Sequence, residues 1–251
     1  MHKLKSLIVA VLLLFVGGQM MGQTHGTMLL GASFPMSDYA KVNGINSTAL
    51  FGDVNQVCGG AAVGFNVGLK WDFSVGVQGL AVILSMDGFF NGPNSDMDEC
   101  YDDKRNELDV LYNDIDLTTP RYINASGMLG LRYIYYFNPQ FGMYIEAGAG
   151  GCGRYITDYC ERYNFTDILT EDTKRHKNTM EFSSAYTFAY QAGAGIEVSK
   201  KLVLACSFYD LGAAPVKGEY IEKINWESTT TNFKHGNLHP MMVLARIGFR
   251  F

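Results

Sequence analysis

Residues Met241 to Phe251 read MMVLARIGFRF. Met241, Val243, Ala245, Ile247, Phe249 and Phe251 fall on one parity; Met242, Leu244, Arg246, Gly248 and Arg250 fall on the other. Side chains alternate faces along a strand, so one face here is apolar and the other carries two arginines and a glycine. Terminal residues fray unless something ties them down. A last residue that is a bare Phe on an apolar face predicts a final strand locked into a closed sheet.

The same alternation recurs upstream. It predicts strands over Gly26 to Phe34, Gly59 to Trp71, Val77 to Phe90, Arg121 to Phe137, Phe141 to Tyr155, Tyr186 to Ile196 and Lys201 to Leu211. With the C-terminal strand this makes eight. In GFNVGLKW (64–71), Phe65, Val67, Leu69 and Trp71 oppose Gly64, Asn66, Gly68 and Lys70. Strand seven is the least decisive; Leu202, Leu204, Cys206 and Phe208 are assigned outward.

The connections alternate long and short, with polar segments at 37–58, 91–120, 158–183 and 213–239 and tight turns between the others. Such loops would be out of place in a compact soluble domain. They suit an outer-membrane barrel, which has an even strand number, short periplasmic turns and longer extracellular loops. The expected fold is therefore all-β, an eight-stranded antiparallel up-and-down transmembrane β-barrel with four long extracellular loops. Trp71, Tyr133, Tyr135, Phe137, Phe141 and Phe249 would ring its periplasmic side, and Phe89, Phe90, Tyr122, Tyr155 and Tyr186 its outer side.

Composition agrees. The 251 residues include 28 Gly, 13% are aromatic and only 18% are charged, below the usual quarter of a soluble domain. His2, Lys3 and Lys5 precede an apolar run, Leu7 to Val16, and then Gly17, Gly18 and Gly22. This reads as a secretory signal at 1–22, too short to span a bilayer, leaving 23–251 as the barrel domain. Its removal takes two lysines and no acids, moving the net charge from −5 to −7. Nothing favours nucleic acid as a partner. Five cysteines, Cys58, Cys100, Cys152, Cys160 and Cys206, lack metal-ligand spacing; the odd count leaves at least one thiol free unless it pairs between chains.

The chain resembles the small eight-stranded outer-membrane proteins of the OmpA-transmembrane and OmpX kind, and the barrel domains common in Bacteroidetes. The carriers are GFNVGLKW (64–71), RYINASGMLGLRYIYYF (121–137), YIEAGAG (144–150), AYQAGAGIEV (189–198), SFYDLG (207–212) and RIGFRF (246–251). The resemblance implies a C-terminal strand, with Phe249 and Phe251, that the membrane's assembly machinery reads. It implies contact with outer-membrane lipid and lipopolysaccharide, and a surface protein or glycan as a possible ligand. OmpA carries a further peptidoglycan-binding domain; none is expected after Phe251.

The inward face collects Lys70, Asp87, Arg132, Glu146, Arg154, Glu197, Arg246 and Arg250. Eight strands leave room only for side chains, so these charges should pair: Glu146 and Glu197 with Arg132 and Arg246. A structural plug and a narrow gated ion path are the two readings of this lumen. Inward glycines would make room for the long side chains.

Segment 91–120 holds nine acids and two bases. Asp96, Asp98, Asp102 and Glu107 stand at positions 1, 3, 7 and 12 of a calcium loop, but Cys100 occupies position 5 and Tyr101 the turn glycine. A solvated surface loop is the plainer reading. Met97, Tyr101, Leu108, Leu111 and Ile115 suggest a short amphipathic helix. His176, His235 and His239 are candidates for a lipid-modifying hydrolase, with no nucleophile marked beside them. The expected role is structural or surface interaction through the loops, without a cofactor, with a pore as the alternative.

Overall fold

The computed structural model describes residues 24–42, 59–109, 112–166 and 173–251; the expected signal at 1–22, Cys58, Leu111 and most of segment 37–58 lie outside them. Thirteen strands are described: β1 (Thr24–Met36), β2 (Gly64–Ser74), β3 (Leu80–Asn91), β4 (Asn113–Thr118), β5 (Tyr122–Asn138), β6 (Phe141–Ile156), β7 (Tyr159–Thr166), β8 (Thr173–Phe182), β9 (Ala185–Val198), β10 (Leu202–Asp210), β11 (Ala214–Ile224), β12 (Glu227–Leu238) and β13 (Met241–Arg250). One helix, α1 (Ser95–Asp109), leads from β3 towards β4.

Eight strands close into an antiparallel barrel in the order β1-β13-β10-β9-β6-β5-β3-β2. β1 pairs with both β13 (Met28 opposite Phe249) and β2 (Thr27 opposite Lys70), which closes the ring. Phe251 extends the closure, its amide donating to the Gly26 carbonyl at 2.8 Å and its carbonyl accepting from the Gly26 amide at 3.0 Å. The Phe251 ring lies over Gly26, where a Cβ would sit 2.5 Å from it and push the ring aside. The β9–β10 turn is tight because Ser199 and Lys200 both take positive φ (54° and 56°), the geometry of a two-residue I′ hairpin.

The barrel is apolar outside and polar within. Met28, Leu30, Phe65, Leu69, Met86, Leu129, Leu131, Tyr133, Tyr135, Met143, Ile145, Phe188, Leu204, Ile247 and Phe249 are exposed on its outer wall. Asn66, Lys70, Asp72, Ser85, Asp87, Asn124, Arg132, Glu146, Gln191, Glu197, Ser207 and Arg246 are buried inside. So large an exposed apolar surface calls for lipid as its solvent. The aromatic rings need one correction. Phe89 and Tyr122 do not join the outer ring; both are buried in the lumen, since they share the parity of Asp87 and Arg132.

A larger correction concerns the loops. Segments 91–120, 158–183 and 213–239 carry a second sheet of five strands, in the order β12-β11-β8-β7-β4. These strands begin where barrel strands end, with only two or three residues between β6 and β7, β8 and β9, and β10 and β11. One face of this sheet (Tyr159, Glu161, His176, Asn178, Met180, Phe182, His235) is buried. The expected helix is α1: its Met97, Tyr101 and Leu108 pack into the core, while Ile115 lies on β4.

Candidate functional site

The lumen is filled in layers. Nearest the tight turns, Arg250 pairs with Glu197 and lies 3.4 Å from Asp72; Tyr136 donates to Glu197 at 3.0 Å. Next, Arg132 binds Asp72 at 2.8 Å and Glu146 at 2.6 Å, and Glu146 also accepts from Lys70. The strand register sets this up, placing Arg132 directly opposite Glu146 on β5 and β6. The Arg132 guanidinium also lies 4.4 Å from the centre of the Tyr144 ring. In the third layer Arg246 binds Asp87 at 2.7 Å and the Ser207 hydroxyl at 2.8 Å, and Tyr209 donates to Asp87 at 2.8 Å.

Four cations (Lys70, Arg132, Arg246, Arg250) thus face four carboxylates (Asp72, Asp87, Glu146, Glu197). Pairing inside a barrel is the condition for burying such charges at all. Arg132 takes Glu146 as expected, but the other partners differ. Arg246 takes Asp87 and Glu197 takes Arg250, because barrel stagger sets which side chains share a level. Asp72 joins them from β2, which runs past the expected strand end at Trp71 and so keeps Asp72 on the parity of Lys70. Gly68 leaves space for the third layer: a Cβ there would lie 2.4 Å from Asp87 Oδ1.

Arg154 stands apart from the ion pairs. Its guanidinium donates to the carbonyls of Leu238 at 2.8 Å and Gly212 at 2.9 Å, tying β6 to the end of β12 and the β10–β11 link. Around it the lumen turns apolar. Phe89 packs edge-on against Tyr209 and Tyr39 against Tyr122, with Met128, Leu244, Met242, Met97 and Tyr101 in the same cluster. The Tyr122 hydroxyl donates to the Gly59 carbonyl, and Asn124 donates to the Tyr39 hydroxyl at 3.2 Å. Helix α1 caps this plug from the buried face of the second sheet. Lys104 bridges to Glu161 at 2.8 Å, and Tyr101 stacks on Tyr159 with ring centres 5.7 Å apart.

The remaining candidates are dispersed. Asp96, Asp98 and Asp102 lie on α1, where successive residues turn by about 100°, so they do not form the concave shell of a calcium loop. The side chain of Glu107 is outside the described residues. Cys100, Cys152, Cys160 and Cys206 are free thiols. His176 pairs with Glu222 at 2.9 Å, and His239 with Asp210 at 2.7 Å, whose second oxygen accepts from Tyr190 at 2.6 Å. His235 sits beside the Phe233 ring with neither ring nitrogen bonded among the described residues; loss of hydration lowers its pKa below 6.5. Tyr220, half-buried near Glu222, is pushed up to about 12, chiefly by burial.

What the sequence did not disclose is the upper surface. The β11–β12 hairpin ends in a turn at Asn225 (φ 54°), which leaves Trp226 99% exposed beside the exposed Ile224. A Trp in a polar run was a readable signal, but only the strand pairing puts it at a tip.

No protein-family model matches the chain, and no curated protein matches it in sequence. Among solved structures it is similar to Ail, the attachment invasion locus protein of Yersinia pestis, with 14% identity and a TM-score of 0.41 over 92% of this chain and 100% of that chain. It is similar to a major outer membrane protein from Thermus thermophilus, with 10% identity and a TM-score of 0.45 over 92% and 100%. The outer membrane protein AlkL shows 13% identity and a TM-score of 0.34 over 92% and 90%.

Proposed function

We propose that this chain is a bacterial outer-membrane protein, exported by residues 1–22, whose lumen is closed and whose work is surface interaction. The apolar outer wall and the paired charges within support the membrane setting. The tight turns would face the periplasm and the second sheet the exterior. Lipid and lipopolysaccharide would contact the wall, and the assembly machinery would read the strand ending at Phe249 and Phe251. No catalytic step belongs to this reading.

The observation that carries it is the second sheet. Three of the long connections are built into strands and a helix rather than left as solvated loops, and they present Trp226 almost wholly to solvent. Trp is enriched among the anchors of binding surfaces, and the hairpin tip holds this indole clear of the sheet beside Ile224. The ligand class is a surface protein or glycan.

The test uses intact cells displaying the full chain. Trp226→Ala, or trimming residues 95–115, should lower adherence to cells or matrix at unchanged surface level. Unchanged adherence with both variants would refute it. A narrow pore is the competing reading, favoured by the charged lower lumen. Steady openings of tens of picosiemens or more in planar bilayers would establish it, whereas the layers of buried side chains lead us to expect none.

A further inference from the structure

The second sheet has an outer face that the core does not use. Register places Arg162 of β7 opposite Lys177 of β8, and Lys177 opposite Lys223 of β11. Three cations therefore stand abreast on adjoining strands, about 4.8 Å apart. Arg175, two positions along β8, adds a fourth on the same face. Like charges directly opposite one another destabilise a sheet, so the row has a cost that an external anion would relieve. Asp116 answers only Arg162, at 3.9 Å. Among the described residues no carboxylate bridges Lys177, Lys223 or Arg175.

On the opposite side of the same sheet stands α1, held by Lys104 to Glu161 and by Tyr101 to Tyr159. Its Met97, Tyr101, Lys104 and Leu108 point inward, which turns Glu99, Asp102 and Asp103 away, with Asp96 and Asp98 beside them; all five acids are exposed, and the exposed Arg105 lies 3.8 Å from Asp102, so the face stays net acidic. One molecule thus carries a cationic surface and an acidic surface that look in opposite directions.

We propose that these two surfaces are each other's partners between copies of the chain, the cationic row of one molecule docking on the acidic face of α1 of the next. A contact between two different patches is head-to-tail, and it builds rings or open rows rather than symmetric pairs. Membrane insertion favours it. All copies share one orientation, so a rotation about the membrane normal and an in-plane shift bring the patches together. Confinement in the plane raises the effective concentration, so a few exposed ion pairs suffice. The inference rests on the membrane reading above; co-flotation with vesicles, read on the same samples, reports that reading separately.

The test is energy transfer between donor- and acceptor-labelled full chains in zwitterionic phosphatidylcholine vesicles, where no lipid supplies an anionic headgroup surface. At low salt, transfer should exceed the value for random placement. It should fall to that value at about 0.5 M salt, where charges are screened within a few Å. Lys177→Glu with Lys223→Glu should abolish clustering, and so should Glu99→Lys with Asp103→Lys. Mixing the two variants should restore it, because each then offers a face complementary to the other. Random placement of the wild type overturns the proposal. So does undiminished clustering of either variant, or failure of the mixture to recover. Clustering that appears only on adding a polyanion such as heparin would also overturn it, and would assign the cationic row to that polymer.

Discussion

Glu146 is the residue on which the lower lumen depends. It is inaccessible to solvent and accepts from three donors: Lys70 Nζ, Arg132 Nε at 3.1 Å and Arg132 Nη2 at 2.6 Å. Replacing it with Gln keeps the volume and removes the charge. Lys70, 0% exposed, then has no carboxylate partner, and Arg132 keeps only Asp72. Removing one partner of a buried pair costs about 3–5 kcal/mol, because the other charge stays buried and uncompensated. An exposed pair would cost at most about 1 kcal/mol. Urea unfolding of the vesicle-inserted protein, read by heat-modifiable gel mobility, measures the difference. Lys70→Met should cost less in the Glu146→Gln background than in the wild type, since it removes the stranded cation. A loss below about 1 kcal/mol for Glu146→Gln, or strictly additive single effects, would refute the assignment of these contacts as buried and coupled. The same variant should stay non-conducting, because the plug of Phe89, Tyr209, Tyr39 and Tyr122 lies above it.

Three further outcomes are expected. Gly68→Val should push Asp87 off Arg246 and destabilise by about 1–3 kcal/mol, as overpacking does, whereas Gly127→Val, with no atom within 4 Å of its Cβ site, should be near neutral in the same assay. Phe251→Asp or its deletion should reduce assembled protein in the membrane, since Phe251 pairs twice with Gly26; quantitative surface labelling checks this. His235 is held neutral by burial, so its lowered pKa contributes stability that is complete above pH 6.5 and is lost as pH falls from there through the folded-state value. Protection of the β11 and β12 amides against hydrogen exchange, taken relative to the intrinsic rate at each pH, should fall between pH 7.5 and 5, and His235→Phe should remove that residue's share.

Alternation over the eight barrel segments was legible except at Phe89 and Tyr122, because side-chain direction in a strand follows from position alone. Lys70, Arg132, Glu146, Glu197, Arg246 and Arg250 could be placed on the inner face from the chain, and Leu202, Leu204, Cys206 and Phe208 on the outer. Of their pairings, Arg132 with Glu146 was legible, since the two stand opposite one another on neighbouring strands, and those of Arg246 and Glu197 were not. Asp87 lies 159 positions from Arg246, and only closure and stagger bring them to one level. The second sheet was missed for a related reason. TKRHKNTMEF of β8 and ESTTTNFKHGNL of β12 carry polar residues on both faces. Glu161, His176 and Asn178 are buried by a neighbouring strand and by α1, not by any apolar pattern of their own. Position along a strand decides which face a side chain takes, and the sequence by itself determined that. Which residues meet across the lumen, and whether a polar segment stands as a strand, depends on partners far away in the chain, and only the tertiary structure decided it.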